Sequence, residues 1–213
     1  MKSSGWLRIL VLVVLILGRG AFGQTAPALK VVVLAQGPAD AKTELQIFCL
    51  FRSSAENTLH GSLVEIDERL HGLLGQIRKP GLFGGELGET IVLTPPQGTL
   101  GAKRVLIIGL GDSASFTPAR MYLVGKIAMR EANRLGVAHP FFAPTVLDGG
   151  VSNFATGDVA EQVTCGIRDG MASEAVVRKA GAGGALAVVD FTFLAGAAHV
   201  ADTRGGINRA LGK

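Results

Sequence analysis

Gly109-Leu110-Gly111-Asp112-Ser113-Ala114 follows the apolar run Val105-Leu106-Ile107-Ile108, so a strand enters the pattern G-x-G-x-x-A. In that arrangement glycine amides and a helix start can hold the pyrophosphate of a dinucleotide. The surroundings do not complete it. The next helix start is Thr117-Pro118 rather than the second glycine, and Glu131 falls inside a helical pattern instead of at the end of a second strand. The segment therefore reads first as a tight glycine turn at the carboxyl end of a central strand. Ligands bind along that edge in open α/β sheets, so Gly109, Gly111 and Asp112 form a candidate weak anion site.

A second glycine turn, Phe83-Gly84-Gly85-Glu86-Leu87-Gly88-Glu89, adds Gly84, Gly85 and Gly88 to the candidate ligand-binding residues. Glu86 and Glu89 have the spacing of an acid pair but read as solvated loop carboxylates. His60, His71, His139 and His199 are scattered, with no H-E-x-x-H, and the chain has no G-x-S-x-G elbow. His71, beside Leu70 in a helical pattern, reads as a surface or boundary residue. Two cysteines cannot form a structural zinc site. Cys49 sits in the apolar run Leu45 to Phe51 and reads as a small buried hydrophobe, although export would permit a Cys49–Cys165 disulfide. No catalytic residue, metal ligand or cofactor is assigned.

The elements that must position these residues alternate. Leu29 to Ala35 and Leu45 to Phe51 have strand character, and Leu63, Ile66, Leu70, Leu74 and Ile77 recur at the spacing of one amphipathic helix. Glu89 to Thr94 and Lys103 to Gly109 read as strands joined by Pro95-Pro96-Gln97-Gly98. Thr117-Pro118 opens a helix that Gly136 closes. His139 to Val146, interrupted by Pro140 and Pro144, reads as a weaker strand suited to a sheet edge. A helix over Val159 to Met171, a strand over Leu186 to Leu194 and a helix over Ala197 to Leu211 complete the pattern. With 48% hydrophobic and 18% charged residues the chain can fill a core, and the alternation predicts an α/β fold with a mixed sheet between helix layers.

Residues 1–23 stand apart. Lys2 and Arg8 precede Ile9 to Leu17, an unbroken apolar stretch shorter than a bilayer span, and Ala21-Phe22-Gly23 has small residues at a cleavage position. This is the form of a secretory signal peptide. It predicts export to the periplasm or beyond, a mature domain over residues 24–213 and no stable membrane anchor after cleavage. Losing Lys2, Arg8 and Arg19 lowers the formal charge from +4 to +1, which argues against a nucleic-acid partner.

The order of segments resembles the N-terminal domain of the leucyl aminopeptidases. Leu63-x-x-Ile66-Asp67-x-x-Leu70-x-x-Leu73-Leu74 leads into Phe83-Gly84-Gly85-Glu86-x-Gly88-Glu89-Thr90. Lys103-Arg104-Val105-Leu106-Ile107-Ile108-Gly109-Leu110-Gly111 and Ala128-x-Arg130 follow, and Ala201 to Leu211 is similar to the helix that leads into that family's catalytic domain. The resemblance implies a three-layer, macro-like domain. It also implies that the metal ions and their ligands belong to a part of the family beyond the positions matched here, so no catalytic residue carries over. The leading expectation is a non-catalytic binding or assembly module, with a protein partner or self-association. The alternatives are a subunit serving a separate catalytic chain, or a macro-type domain that binds phosphate or ADP-ribose.

Overall fold

The structure, a computed structural model, describes residues 29–53, 58–79 and 81–213. The expected signal peptide lies outside them. Six strands form one sheet: β1 (Lys30–Ala35), β2 (Gln46–Leu50), β3 (Thr90–Leu93), β4 (Val105–Gly109), β5 (Phe141–Ala143) and β6 (Asp190–Ala195). Their order is β1-β6-β5-β2-β4-β3, with all neighbours parallel except β3 against β4. The helices are α1 (Gly61–Arg69), α2 (Leu73–Ile77), α3 (Met121–Arg134), α4 (Thr156–Lys179) and α5 (Val200–Leu211).

Strand alternation sends side chains to two separate cores. Ile47, Cys49, Leu106, Ile108, Phe191 and Phe193 face α3, α4 and α5 and meet Val124, Ala128, Val163, Ile167 and Ile207. Phe48, Leu50, Val105, Ile107 and Leu194 face the other way, toward Leu63, Ile66 and Leu74 of α1 and α2. Every residue of β2 and β4 is buried, as continuous apolar strands covered on both faces must be. The α3–α4 contact is close because a Cβ on Gly125 would lie 2.1 Å from the Val163 carbonyl oxygen, and one on Gly166 2.1 Å from that of Tyr122.

The three-layer α/β architecture agrees with the sequence pattern, and two of its elements differ. The single helix expected over Leu63 to Ile77 is two. His71 (φ 56°) and Gly72 (φ 76°) take left-handed backbone, and the Asp67 side chain accepts the Leu74 N–H at 2.7 Å, starting α2 afresh. The expected edge strand is central: β5 lies between β6 and β2, and Pro140 and Pro144 bracket its three residues without interrupting the ladder. Cys49 is fully buried, which pushes its thiol pKa up, and Cys49 and Cys165 are both free. Among the described residues no helix is long and apolar enough to cross a membrane.

Candidate ligand-binding site

The carboxyl ends of the parallel strands form one edge of the sheet, and the two glycine turns meet over its β2–β4 half. Gly88 N–H donates to the Gly109 carbonyl at 3.0 Å, Gly109 N–H to Glu89 at 2.8 Å and Gly111 N–H to Gly85 at 2.8 Å. A Cβ on Gly109 would stand 2.0 Å from the Glu86 carbonyl oxygen, and one on Gly85 2.7 Å from that of Phe51. The structure thus brings together the segments carrying Gly84, Gly85, Gly88, Gly109, Gly111 and Asp112. The amides of Gly88, Gly109 and Gly111 are engaged by neighbouring carbonyls in a backbone-to-backbone contact. Asp112 accepts the Ala114 N–H through Oδ1 at 3.1 Å, while the Arg120 guanidinium binds the carbonyls of Leu110 and Asp112 at 2.8 Å each.

The open space lies over the other half of the same edge. A cavity of about 430 Å³ is lined by the chain leaving β1 (Ala35 to Pro38), β5 (Ala143 to Asp148) and β6 (Leu194 to Ala197), with Ser62 of α1 and Thr156, Val159 and Ala160 of α4. Phe154, His199 and Thr203 also contribute to its walls. Short β-branched and apolar strands end together here because the parallel register aligns Ala35 with Ala195 and Phe142 with Phe193.

Three polar side chains hold this wall. Thr145 follows the short β5 and extends its ladder through a side chain: its Oγ1 donates to the Cys49 carbonyl at 2.6 Å and accepts the Cys49 N–H at 2.9 Å. Its φ of 50° is strained for a β-branched residue, and the paired bonds on buried β2 maintain it. Asp148 reaches the start of α1, accepting Ser62 N–H at 3.1 Å and Ser62 Oγ–H at 2.8 Å, while its carbonyl accepts His60 N–H at 2.8 Å. Asp202, in the first turn of α5, reaches the start of α4 and accepts Thr156 Oγ–H and Gly157 N–H, each at 2.7 Å. The Thr156 hydroxyl and then the Gly157 amide hold the Asp202 carboxyl below the usual carboxylate range.

The loop after β5 folds onto itself. Gly149 N–H donates to Thr145 O at 3.0 Å, Gly150 N–H to Leu147 O at 2.9 Å and Val151 N–H to Val146 O at 3.3 Å. None of Thr145, Asp148 or Asp202 carries a motif. The one local signal is Asp148-Gly149-Gly150, a turn signature that gives no hint of a partner 86 residues away. His199 of the scattered histidines lines the cavity, and His71 is exposed at the break between α1 and α2.

Residues 47–179 match the family model for the N-terminal domain of the cytosol aminopeptidase family. The chain belongs to that family. Over 96 residues it is 33% identical to a probable cytosol aminopeptidase of Burkholderia mallei, a stretch that makes up 45% of this chain and 18% of that protein. A mutant tomato leucine aminopeptidase superposes with a TM-score of 0.68 at 19% identity, covering 88% of this chain and 36% of that one. A Trypanosoma brucei macrodomain in complex with ADP gives 0.54 at 12% identity, over 84% of this chain and 69% of that one. At such identities the structures show the fold. It is the macro-like fold that the family resemblance implies, and the chain spans well under half the length of its aminopeptidase relatives.

Proposed function

We propose that this domain is a non-catalytic binding module of the cytosol aminopeptidase family, exported by a cleaved leader over residues 1–23. In this reading a small ligand occupies the cavity over β1, β6 and β5. The partner is a second copy or an aminopeptidase chain that carries the metal centre. The observation that carries the reading is the cavity itself: about 430 Å³, concave, and at the strand edge where α/β folds bind ligands. A binding role rather than a chemical one is supported by the engagement of the surrounding polar groups. Thr145 is tied to the Cys49 backbone, Ser62 to Asp148 and Thr156 to Asp202.

The test is hydrolysis of leucine-p-nitroanilide by the purified chain, with and without added zinc or manganese. The expected result is no release of nitroaniline above the metal-only control. Turnover by the chain would overturn the non-catalytic reading. A second reading, macro-type binding of a phosphate ligand, takes its support from the fold shared with the ADP-bound Trypanosoma brucei macrodomain.

A further inference from the structure

The starts of α1, α4 and α5 all border the cavity, and those of α1 and α4 are occupied by the chain's own carboxylates. A helix start attracts anions because its first N–H groups lack partners and its dipole is positive there. At α1 this capacity is taken up by Asp148, which binds both the amide and the hydroxyl of Ser62. A Cβ built on Gly61 would lie 2.1 Å from Asp148 Oδ1, so the carboxylate sits directly against the helix start. At α4 the same position is held by Asp202. The loop after β5 directs its Gly149, Gly150 and Val151 amides onto its own carbonyls. Among the described residues, the lining contains no Lys or Arg.

What the cavity presents instead is apolar. Pro38, Val146, Leu147, Phe154, Val159 and Leu194 are among its lining residues, and Gln36 and His199 bring side chains able to hydrogen-bond a neutral group. A phosphate entering it would meet the Asp148 carboxylate and, among the described lining residues, no Lys or Arg to neutralise it. We infer that the cavity over β1, β6 and β5 binds an uncharged, predominantly apolar small molecule, and that Asp148 acts as a built-in anion that bars phosphate ligands from the start of α1. This rests on the binding-module reading and names the ligand class for the same site.

The experiment uses the neutral fluorophore N-phenyl-1-naphthylamine as the apolar probe, with ADP-ribose and inorganic phosphate as the anions. Wild type is expected to give saturable, blue-shifted probe emission and no thermal shift with either anion. Ala197→Trp and Leu147→Trp, on two different loops of the lining, are each expected to weaken the probe at least tenfold while unfolding cooperatively. Asp148→Ala is expected to gain a thermal shift with ADP-ribose or phosphate. Asp148→Asn, which removes the charge and keeps the shape, checks that result should the alanine variant fold poorly.

A thermal shift of wild type by ADP-ribose, abolished by Ala197→Trp, would overturn the inference and leave the binding-module reading standing. Probe binding that ignores both tryptophans places the apolar site elsewhere and overturns it as well. If neither the probe nor the anions bind wild type, the inference and the binding-module reading fall together. No gain of anion binding in either Asp148 variant removes that carboxylate as the barrier.

Discussion

Gly109 illustrates how little of a residue's role is visible in its own motif. By spacing it belongs to a phosphate-binding pattern; in the folded chain it is the point where the turn before β3 lies against the end of β4. Its missing Cβ leaves room for the Glu86 carbonyl, which would otherwise be 2.0 Å away. Gly109→Ala therefore forces backbone apart at a buried position, at a cost of about 3 kcal/mol. Thermal denaturation should show a Tm lower by roughly 10 °C for a domain of this size. Gly184→Ala, where nothing lies within 4 Å, should leave Tm nearly unchanged. Equal losses in the two variants would show that steric contact at Gly109 is not the cause. The six candidate residues were legible as turns at the ligand edge. The engagement of the Gly88, Gly109 and Gly111 amides was not, because it depends on carbonyls that only the folded chain brings alongside.

At the level of elements, the helices and most strands follow from period, whereas their joins do not. The apolar repeat across Leu63 to Ile77 continues through His71 and Gly72, so periodicity alone cannot see the break that left-handed backbone imposes. Likewise, two prolines around β5 argue for an edge only if they fall within the ladder, and here they flank it. The start of α4 offers a test of how elements are tied. Asp202 on α5 caps it, and solvent screening limits the contribution of so exposed a carboxylate to at most about 1 kcal/mol. Its folded pKa is depressed, so the stabilisation is present above the unfolded value of about 4 and is lost as pH falls through the lower folded value. Asp202→Asn should melt roughly 2–4 °C below wild type at pH 7, and the gap should close as pH drops from about 5 toward 3. A gap independent of pH would rule out the carboxylate charge as its source.

For the whole molecule, the proposed leader over residues 1–23 differs in composition from the rest of the chain. Most of the +4 formal charge resides in Lys2, Arg8 and Arg19, around the apolar stretch Ile9 to Leu17 from which export is proposed. Expression in a bacterial host followed by intact-mass measurement should find the periplasmic product beginning at Gln24. A full-length product confined to the cytoplasm would refute export. Residue order by itself determined the alternating α/β plan, the two-sided burial of β2 and β4, the buried Cys49 and the family, since all of these follow from local apolar periodicity and ordered short motifs. Tertiary structure alone decided the order of the strands, the central place of β5, the cavity over β1, β6 and β5, and the pairing of Asp148 with Ser62 and of Asp202 with Gly157. Those pairs lie 86 and 45 residues apart, and a hydrogen bond over such separations leaves no periodic trace because it is set by where strand register and helix packing deliver each side chain.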